Sequence, residues 1–357
     1  MKSALDDPRL YKQIDTLDVY DSLAKIGRQF ESGWHDGQFV NLGFEPEKIK
    51  TVVFAGMGGS NLPAKIVHSL APFILTIPFE TVANYRLPTY ADKTTLVILC
   101  SYSGNTEEIL SCAQDAKQRG AKTVVITTGG KLKDHALTEH LPLISLDEKF
   151  NNCRLPRTGI GLTTGAVISL LIRLNQSAYR YFDTKEIAQT IERVLDMVNL
   201  YKPTSDNPAK SLALKHKGQG LLLFTANHLS GVGETAANFF NETAKTFCTN
   251  FNLPDLNHHL LEGLAFPISL KDSTNILILN SSLYPDIIQK RIQITKDILL
   301  KQKYHVTIIK PETTDPVSQV FESLVFLIMF SYYLSIVNKV DPGTNPWVDY
   351  FKKEIHS

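Results

Sequence analysis

Residues 96–108 read Leu-Val-Ile-Leu-Cys-Ser-Tyr-Ser-Gly-Asn-Thr-Glu-Glu, an apolar run that stops in a loop of small polar residues. The same arrangement stands upstream, where residues 51–62 read Thr-Val-Val-Phe-Ala-Gly-Met-Gly-Gly-Ser-Asn-Leu. Each run predicts a buried strand, and each loop leads into a helical pattern. Gly56, Gly58 and Gly59 let the backbone turn sharply and bring its N–H groups close to a ligand. Ser101, Ser103 and Thr106 add hydroxyl donors. Two such loops at the ends of neighbouring parallel strands form a cup of donors with little fixed charge. That cup suits a phosphate monoester, which accepts many hydrogen bonds.

Other phosphate motifs fit less well. No Gly-Lys-Ser/Thr follows the first glycines, so the loop is not a Walker loop. A dinucleotide fingerprint starting at Gly56 needs glycine at 61, where Asn61 stands.

Outward from these loops the chain alternates strand and helix. Strands are predicted at 50–55, 73–76 with 79–83, 94–100, 122–127 and 142–145. Helices are predicted at 61–71, 106–119 and 131–137, then at 162–180 and 184–199. This alternation predicts an α/β chain with a doubly wound parallel sheet. Residues 8–32 carry apolar positions at helical spacing and read as leading helices. The polar stretch Pro203 to Pro208 reads as an inter-domain linker. Strand runs return at 219–225, 274–280 and 304–309, so the second half reads as a degenerate copy without the two donor loops. After 219–225 comes Ala-Asn-His-Leu-Ser-Gly-Val-Gly instead. We expect two flavodoxin-like domains: residues 1–180, which bind phosphate and carry the leading helices, and residues 181–357.

The composition narrows the partners. The 357 residues are enough for two domains, and a net charge of +1 points to neither nucleic acid nor an anionic membrane. The four cysteines, at 100, 112, 153 and 248, show no metal or disulfide spacing. The polar start (Lys2, Asp6, Asp7, Arg9) lacks a signal-peptide pattern, and a cytoplasmic protein is expected. The apolar run Leu324–Val337 is shorter than a membrane span and reads as a buried helix.

The stretch Ser-x-Ser-Gly-x-Thr-x-Glu at 101–108 resembles the phosphate loop of the sugar isomerase (SIS) domain, and both donor loops match that domain in order and spacing. So does the turn Ile126-Thr127-Thr128-Gly129-Gly130-Lys131-Leu132. Further stretches are Leu155-Pro156-Arg157-Thr158-Gly159, Asn241-Glu242-Thr243-Ala244-Lys245, Leu253-Pro254-Asp255-Leu256-Asn257-His258-His259, and Asp341-Pro342 followed by Lys352. Together these resemble the bifunctional phosphoglucose/phosphomannose isomerase family from about residue 45 to 353.

The resemblance implies an aldose–ketose isomerase that moves one proton between C1 and C2 of a sugar 6-phosphate through an enediolate. It implies Glu242 as the base, His258 as the group assisting ring opening, Arg157 as the cation at the enediolate, and Lys352 as a further site residue. Phosphate would be held by Gly58, Gly59, Ser60, Ser101, Ser103 and Thr106. No metal or redox cofactor is expected. In families of this kind the ring-opening histidine reaches the neighbouring subunit's site, so a homodimer with shared sites is expected.

The chain departs from the family pattern in three places. Thr235, Ala236 and Ala237 replace an Arg-Trp-Lys stretch, Thr243 replaces an Asn, and His259-Leu260 replace Asn-Glu. The principal alternative is a non-catalytic phosphosugar-binding protein, which needs the cup but no base. An amidotransferase-type isomerase half would normally be fused to a glutaminase domain, and a nucleotide-dependent oxidoreductase conflicts with Asn61.

Overall fold

The fold is described from a computed structural model, over residues 3–355. The chain opens with helices α1 (Pro8–Ile14) and α2 (Val19–Leu23), followed by α3 (Ile26–Phe39). Then come β1 (Thr51–Gly56), α4 (Leu62–Ile74), β2 (Phe79–Val82), β3 (Thr95–Cys100), α5 (Glu107–Arg119), β4 (Lys122–Thr127), α6 (Gly130–Thr138), β5 (Leu143–Ser145), α7 (Ile160–Ile172) and α8 (Thr184–Met197). The rest comprises α9 (Pro208–Lys215), β6 (Gly220–Ala226), α10 (Ser230–Glu242), β7 (Cys248–Leu253), α11 (Leu260–Gly263), α12 (Leu270–Ser273), β8 (Thr274–Leu279), α13 (Asp286–Lys301), β9 (Val306–Ile309), α14 (Pro316–Asn338) and α15 (Pro346–Ile355).

Two compact units result, each with its own parallel sheet. One comprises Ala24–Glu192, with strand order β2-β1-β3-β4-β5. The other takes the chain up to Leu23 and from Arg193 on, with order β7-β6-β8-β9. The α/β class and the paired parallel sheets read from the sequence are therefore present.

In the Ala24–Glu192 unit, β1, β3 and β4 are almost wholly buried, as continuous apolar runs in a two-sided parallel sheet should be. Register pairs Gly56 with Cys100, so β1 and β3 end level and their loops emerge side by side. Helices α3 and α7 pack at near backbone contact. A Cβ on Gly33 would sit 1.9 Å from the Leu162 carbonyl oxygen, and one on Gly165 would sit 2.3 Å from that of Phe30. No side chain fits at either position, so glycine sets the helix spacing.

In the other unit α14 is the central helix. At 23 residues it is long and apolar enough to cross a membrane, which corrects the shorter run read from sequence, and 94% of its apolar window is buried inside the protein. The leading segment packs here. The buried Lys210 ammonium donates to the carbonyls of Leu5, Leu200 and Lys202 at 2.9, 2.7 and 2.8 Å. Thr204 donates to Asp6 through its N–H and hydroxyl, and Tyr332 donates to Asp15.

Several expectations about the chain's organisation change. The compact units do not divide at 180/181: residues up to Leu23 join the later half, and the division falls inside α8. Pro203 to Pro208 is not a linker. It lies within one unit, forming a short turn at Thr204–Asp206 and the start of α9. Residues 73–76 are not a strand, because α4 runs through Ile74. The predicted helix at 162–180 ends at Ile172, and a 3-10 turn covers Gln176–Tyr181.

Strand β7 was missed because Cys-Thr-Asn-Phe-Asn-Leu lacks an apolar run. It is an edge strand with a half-buried middle, and its asparagines are satisfied locally. Thr225 Oγ1 lies 2.9 Å from Asn250 Oδ1 and 2.7 Å from Asn252 Oδ1.

Candidate active site

The donor cup is assembled in the Ala24–Glu192 unit from three turns at the C-terminal ends of β1, β3 and β4. After β1 the chain turns through Gly58, at φ +51, into a 3-10 turn that feeds α4. After β3 the loop reverses at Gly104, at φ +71, where the Gly104 N–H donates to the Ser101 carbonyl at 3.1 Å. A Cβ on Gly104 would also sit 1.7 Å from the Gly129 carbonyl oxygen, so the third turn packs directly on the second.

Tyr102 binds these turns together, and sequence reasoning did not single it out. Its N–H donates to Ser60 Oγ at 2.9 Å, joining the first loop to the second. Its carbonyl accepts from the Thr128 hydroxyl at 2.7 Å, joining the third. Its phenol accepts from Asn151 Nδ2 at 2.6 Å, and the Thr158 hydroxyl donates to Asn151 Oδ1 at 2.7 Å. The segment carrying Arg157 is thereby tied to the cup. Burial pushes the Tyr102 phenol well above its ordinary range, so it stays a neutral hydrogen-bonding group. Tyr102 stands at a position that the loop motif leaves open, so only its burial and its bonds reveal this role.

The proposed phosphate ligands fall into two groups. Gly58 and Ser103 are exposed, and Gly59 and Thr106 are half-buried. Ser60 and Ser101 are buried. Ser101 Oγ lies 2.8 Å from Thr106 Oγ1 and accepts from the Gly104 N–H at 3.1 Å. In this conformation the Ser101 hydroxyl is used within the loop and offers no face to a ligand. Thr106 is the N-cap residue of α5 but makes no side-chain cap bond, because its hydroxyl turns to Ser101.

Arg157 is 2% exposed, and its backbone nitrogen lies 2.8 Å from where a Cβ on Gly59 would stand. Only glycine at 59 allows this approach. The fold therefore brings Arg157 beside the glycine turn after β1, although about a hundred residues separate them in sequence.

The remaining predicted residues lie in the other unit. Glu242 is the last residue of α10 and is half-buried, and Asn345 Nδ2 donates to its Oε2 at 3.3 Å. The Lys245 ammonium donates to the Glu242 and Asp341 carbonyls at 2.9 and 2.6 Å. This turn is therefore closed by the C-terminal Asp341–Asn345 segment, and Asn345 is a second neighbour missed from sequence.

His258 is exposed at the end of the 3-10 turn Asp255–His258, which the Asn257–Thr295 bond at 2.8 Å anchors to α13. Its neighbour His259 lies 3.6 Å from Asp255. Lys352 is exposed in the last turn of α15. The departures Thr235, Ala236, Ala237 and Thr243 are all buried, so they belong to the packed side of α10 and its end. At the end of β6, where the first unit has its glycine turn, His228 is buried against Gln319, 3.0 Å away.

Comparison with known proteins agrees with this division. Residues 47–171 match the SIS domain, and residues 205–355 match the bacterial phospho-glucose isomerase C-terminal SIS domain. A curated bifunctional phosphoglucose/phosphomannose isomerase of Caldicellulosiruptor bescii is 28% identical over 94% of this chain and 98% of its own. A D-glucosamine-6-phosphate 4-epimerase of Sulfolobus acidocaldarius is also 28% identical, over 59% of this chain and 63% of its own. A crystal structure of a hypothetical protein from Thermus thermophilus superposes with a TM-score of 0.72 at 14% identity, covering 98% of this chain and 92% of that one.

Proposed function

We propose, from the premise that this chain belongs to the bifunctional phosphoglucose/phosphomannose isomerase family of SIS-domain proteins, that it interconverts glucose 6-phosphate and mannose 6-phosphate with fructose 6-phosphate. The observation that carries this is the likeness to a curated isomerase over nearly the full length of both chains. The donor cup supports it, since its turns are tied into one frame around Tyr102.

We assign the phosphate to the N–H groups at Gly58 and Gly59 and to the hydroxyls of Ser103 and Thr106. Ser60 and Ser101 shape that cup. The Glu242 carboxylate takes the C2 proton of the open-chain aldose, leaving a 1,2-enediolate, and the resulting acid returns the proton to C1. The O2 proton passes to O1, so the product is an isomer and no atom is gained or lost. The Arg157 guanidinium offsets the enediolate charge. His258 moves a proton between O1 and the ring oxygen when the ring opens. Lys352 adds a second cation near the substrate.

We further assign the working form as a cytoplasmic homodimer in which His258 serves the partner's site. Its exposure at the end of an anchored turn supports that role. Accepting both aldoses requires the enediolate to be reprotonated at C2 on either face.

The deciding experiment incubates the protein with fructose 6-phosphate in deuterated water and separates the sugar phosphates. Glucose and mannose 6-phosphates carrying deuterium at C2 are expected. No turnover and no exchange would overturn the reading and favour a phosphosugar-binding protein. A product changed only at C4 would point instead to epimerase chemistry.

A further inference from the structure

A buried amide on α3 holds both ends of the segment that carries Arg157. Gln29 is completely buried. Its Nε2 donates to the Phe150 carbonyl at 3.0 Å, and its Oε1 accepts from the Gly161 N–H at 3.2 Å. Gly161 lies in the first turn of α7, so one side chain joins the start and the end of residues 150–161. The two partners are of opposite kind. A carbonyl only accepts and an N–H only donates, so the amide has one orientation here. A carboxylate would fail at Phe150, and an ammonium or guanidinium would fail at Gly161. The fit is close as well: a Cβ on Gly161 would sit 2.5 Å from the Ile26 carbonyl oxygen and 2.7 Å from Gln29 Cβ.

Between those ends a second buried amide braces the segment. Asn151 Nδ2 donates to the Tyr102 phenol at 2.6 Å and to the Leu155 carbonyl at 3.0 Å. Its Oδ1 accepts from the Thr158 hydroxyl at 2.7 Å. Leu155 and Thr158 stand on either side of Arg157. A Cβ on Gly159 would sit 2.6 Å from the Tyr102 ring and 3.0 Å from Asn151 Nδ2, so the brace closes only on glycine. Arg157, fitted against Gly59, is therefore located from α3 as well as from the cup.

We propose that Gln29 is a positioning residue for Arg157. Resting on the isomerase reading above, it acts on the enediolate through residues 150–161 and not on the substrate itself. A displacement of about 1 Å at a catalytic group can cost about 10²-fold in rate, so a bond pair this far from the chemistry can matter to it.

The test begins with Gln29→Met, which keeps the side chain's length and removes both bonds. Turnover of fructose 6-phosphate should fall by about tenfold or more with KM little changed, because the Arg157 charge is needed only as the enediolate forms. Gln29→Glu is the conservative variant. Protonated, its carboxyl donates to Phe150 and accepts from Gly161; ionised, it repels the Phe150 carbonyl. Burial favours the protonated form. The activity of folded Gln29→Glu protein, relative to the unaltered protein, should therefore rise as pH falls, which a purely structural role would not produce.

Calorimetry separates this proposal from the isomerase reading. 5-Phosphoarabinonate has a carboxylate where the enediolate charge develops, and arabinitol 5-phosphate has a hydroxyl there. Gln29→Met should weaken the first by about tenfold and leave the second unchanged. In an Arg157→Ala background it should change neither. That pattern in a protein with no turnover would end the isomerase reading and leave Gln29 in its role. An unchanged ratio of the two affinities in Gln29→Met would overturn the proposal, and so would the same loss in the Arg157→Ala background. Equal affinity of the unaltered protein for both ligands would overturn it too, since Arg157 would then meet no charge. Should Gln29→Met fail to fold, the pH dependence of the affinity ratio in Gln29→Glu decides: a flat ratio overturns the proposal.

Discussion

The hydroxyls of Ser101 and Thr106 lie 2.8 Å apart, closing the donor loop on itself. Ser101 also holds the Gly104 N–H, so it fixes the loop's shape. Ser103, exposed two residues on, accepts a long bond from the Asn105 N–H at 3.4 Å and ties no second turn to the loop. The two serines should therefore fail differently.

Ser103→Ala should weaken binding of 5-phosphoarabinonate by about 1–3 kcal/mol, the value of one charge-assisted bond, without changing the melting temperature. Ser101→Ala should lower both affinity and melting temperature. Titration calorimetry with thermal denaturation separates them. Unchanged affinity in both variants would remove phosphate from this loop.

Glu242→Gln keeps an oxygen for Asn345 to donate to, so the fold should survive. Turnover of fructose 6-phosphate should fall by roughly 10²–10⁴, the usual contribution of a general base, while KM changes little. Loss of exchange at C1 and C2 in deuterated water is the direct readout. An active Glu242→Gln protein would move the base elsewhere.

Mixing His258→Ala chains with Glu242→Gln chains tests the shared site. After subunit exchange, one site of each mixed dimer should hold both intact residues, and activity should return from near zero. Failure to recover after exchange is verified by native mass spectrometry would place His258 in its own subunit's site.

His216 is fully buried, neither ring nitrogen has a partner, and burial pulls its imidazole from 6.5 down to about 4. Its folded pKa lies below its unfolded one, so the unfolded chain binds the extra proton first. Its stability contribution is complete above pH 6.5, falls as pH drops from 6.5 to about 4, and is flat below that. The expected total is about 3 kcal/mol. Urea denaturation of His216→Phe across this range should show a shallower loss than the unaltered protein. Parallel curves would mean that His216 does not titrate with unfolding.

Lys210 is buried with three carbonyls around its ammonium. Lys210→Met leaves those acceptors without a donor and should destabilise its unit by roughly 3 kcal/mol or more. Limited proteolysis should then cut first within about residues 3–23, ahead of the rest of the chain. Equal resistance in both proteins would show that packing alone holds the leading helices.

The parallel sheets were legible because buried strands are continuous apolar runs, and 51–56 and 95–100 are unmistakable in that respect. The donor loops were legible because glycines and small hydroxyl residues stand together directly after each apolar run. Strand β7 was not legible, since Thr249, Asn250 and Asn252 break its apolar run, and only the sheet shows the asparagine side chains clustered with the Thr225 hydroxyl of the neighbouring strand. The supposed linker at Pro203 to Pro208 misled for a related reason: local polarity marks a turn, and only Asp6 and Lys210 show that the turn is part of a packed unit.

By itself, then, the sequence determined most of the buried strands and helices, the small polar turns after β1, β3 and β4, and the residue types that the proposed chemistry needs. These depend on local periodicity and short spacing. Tertiary structure alone decided that the leading helices join the later unit, that Tyr102 ties three turns together, that Ser101 spends its hydroxyl inside the loop, and that β9 is left with an open edge. Each of those depends on contacts between residues tens to hundreds apart, or on burial, which no local pattern encodes.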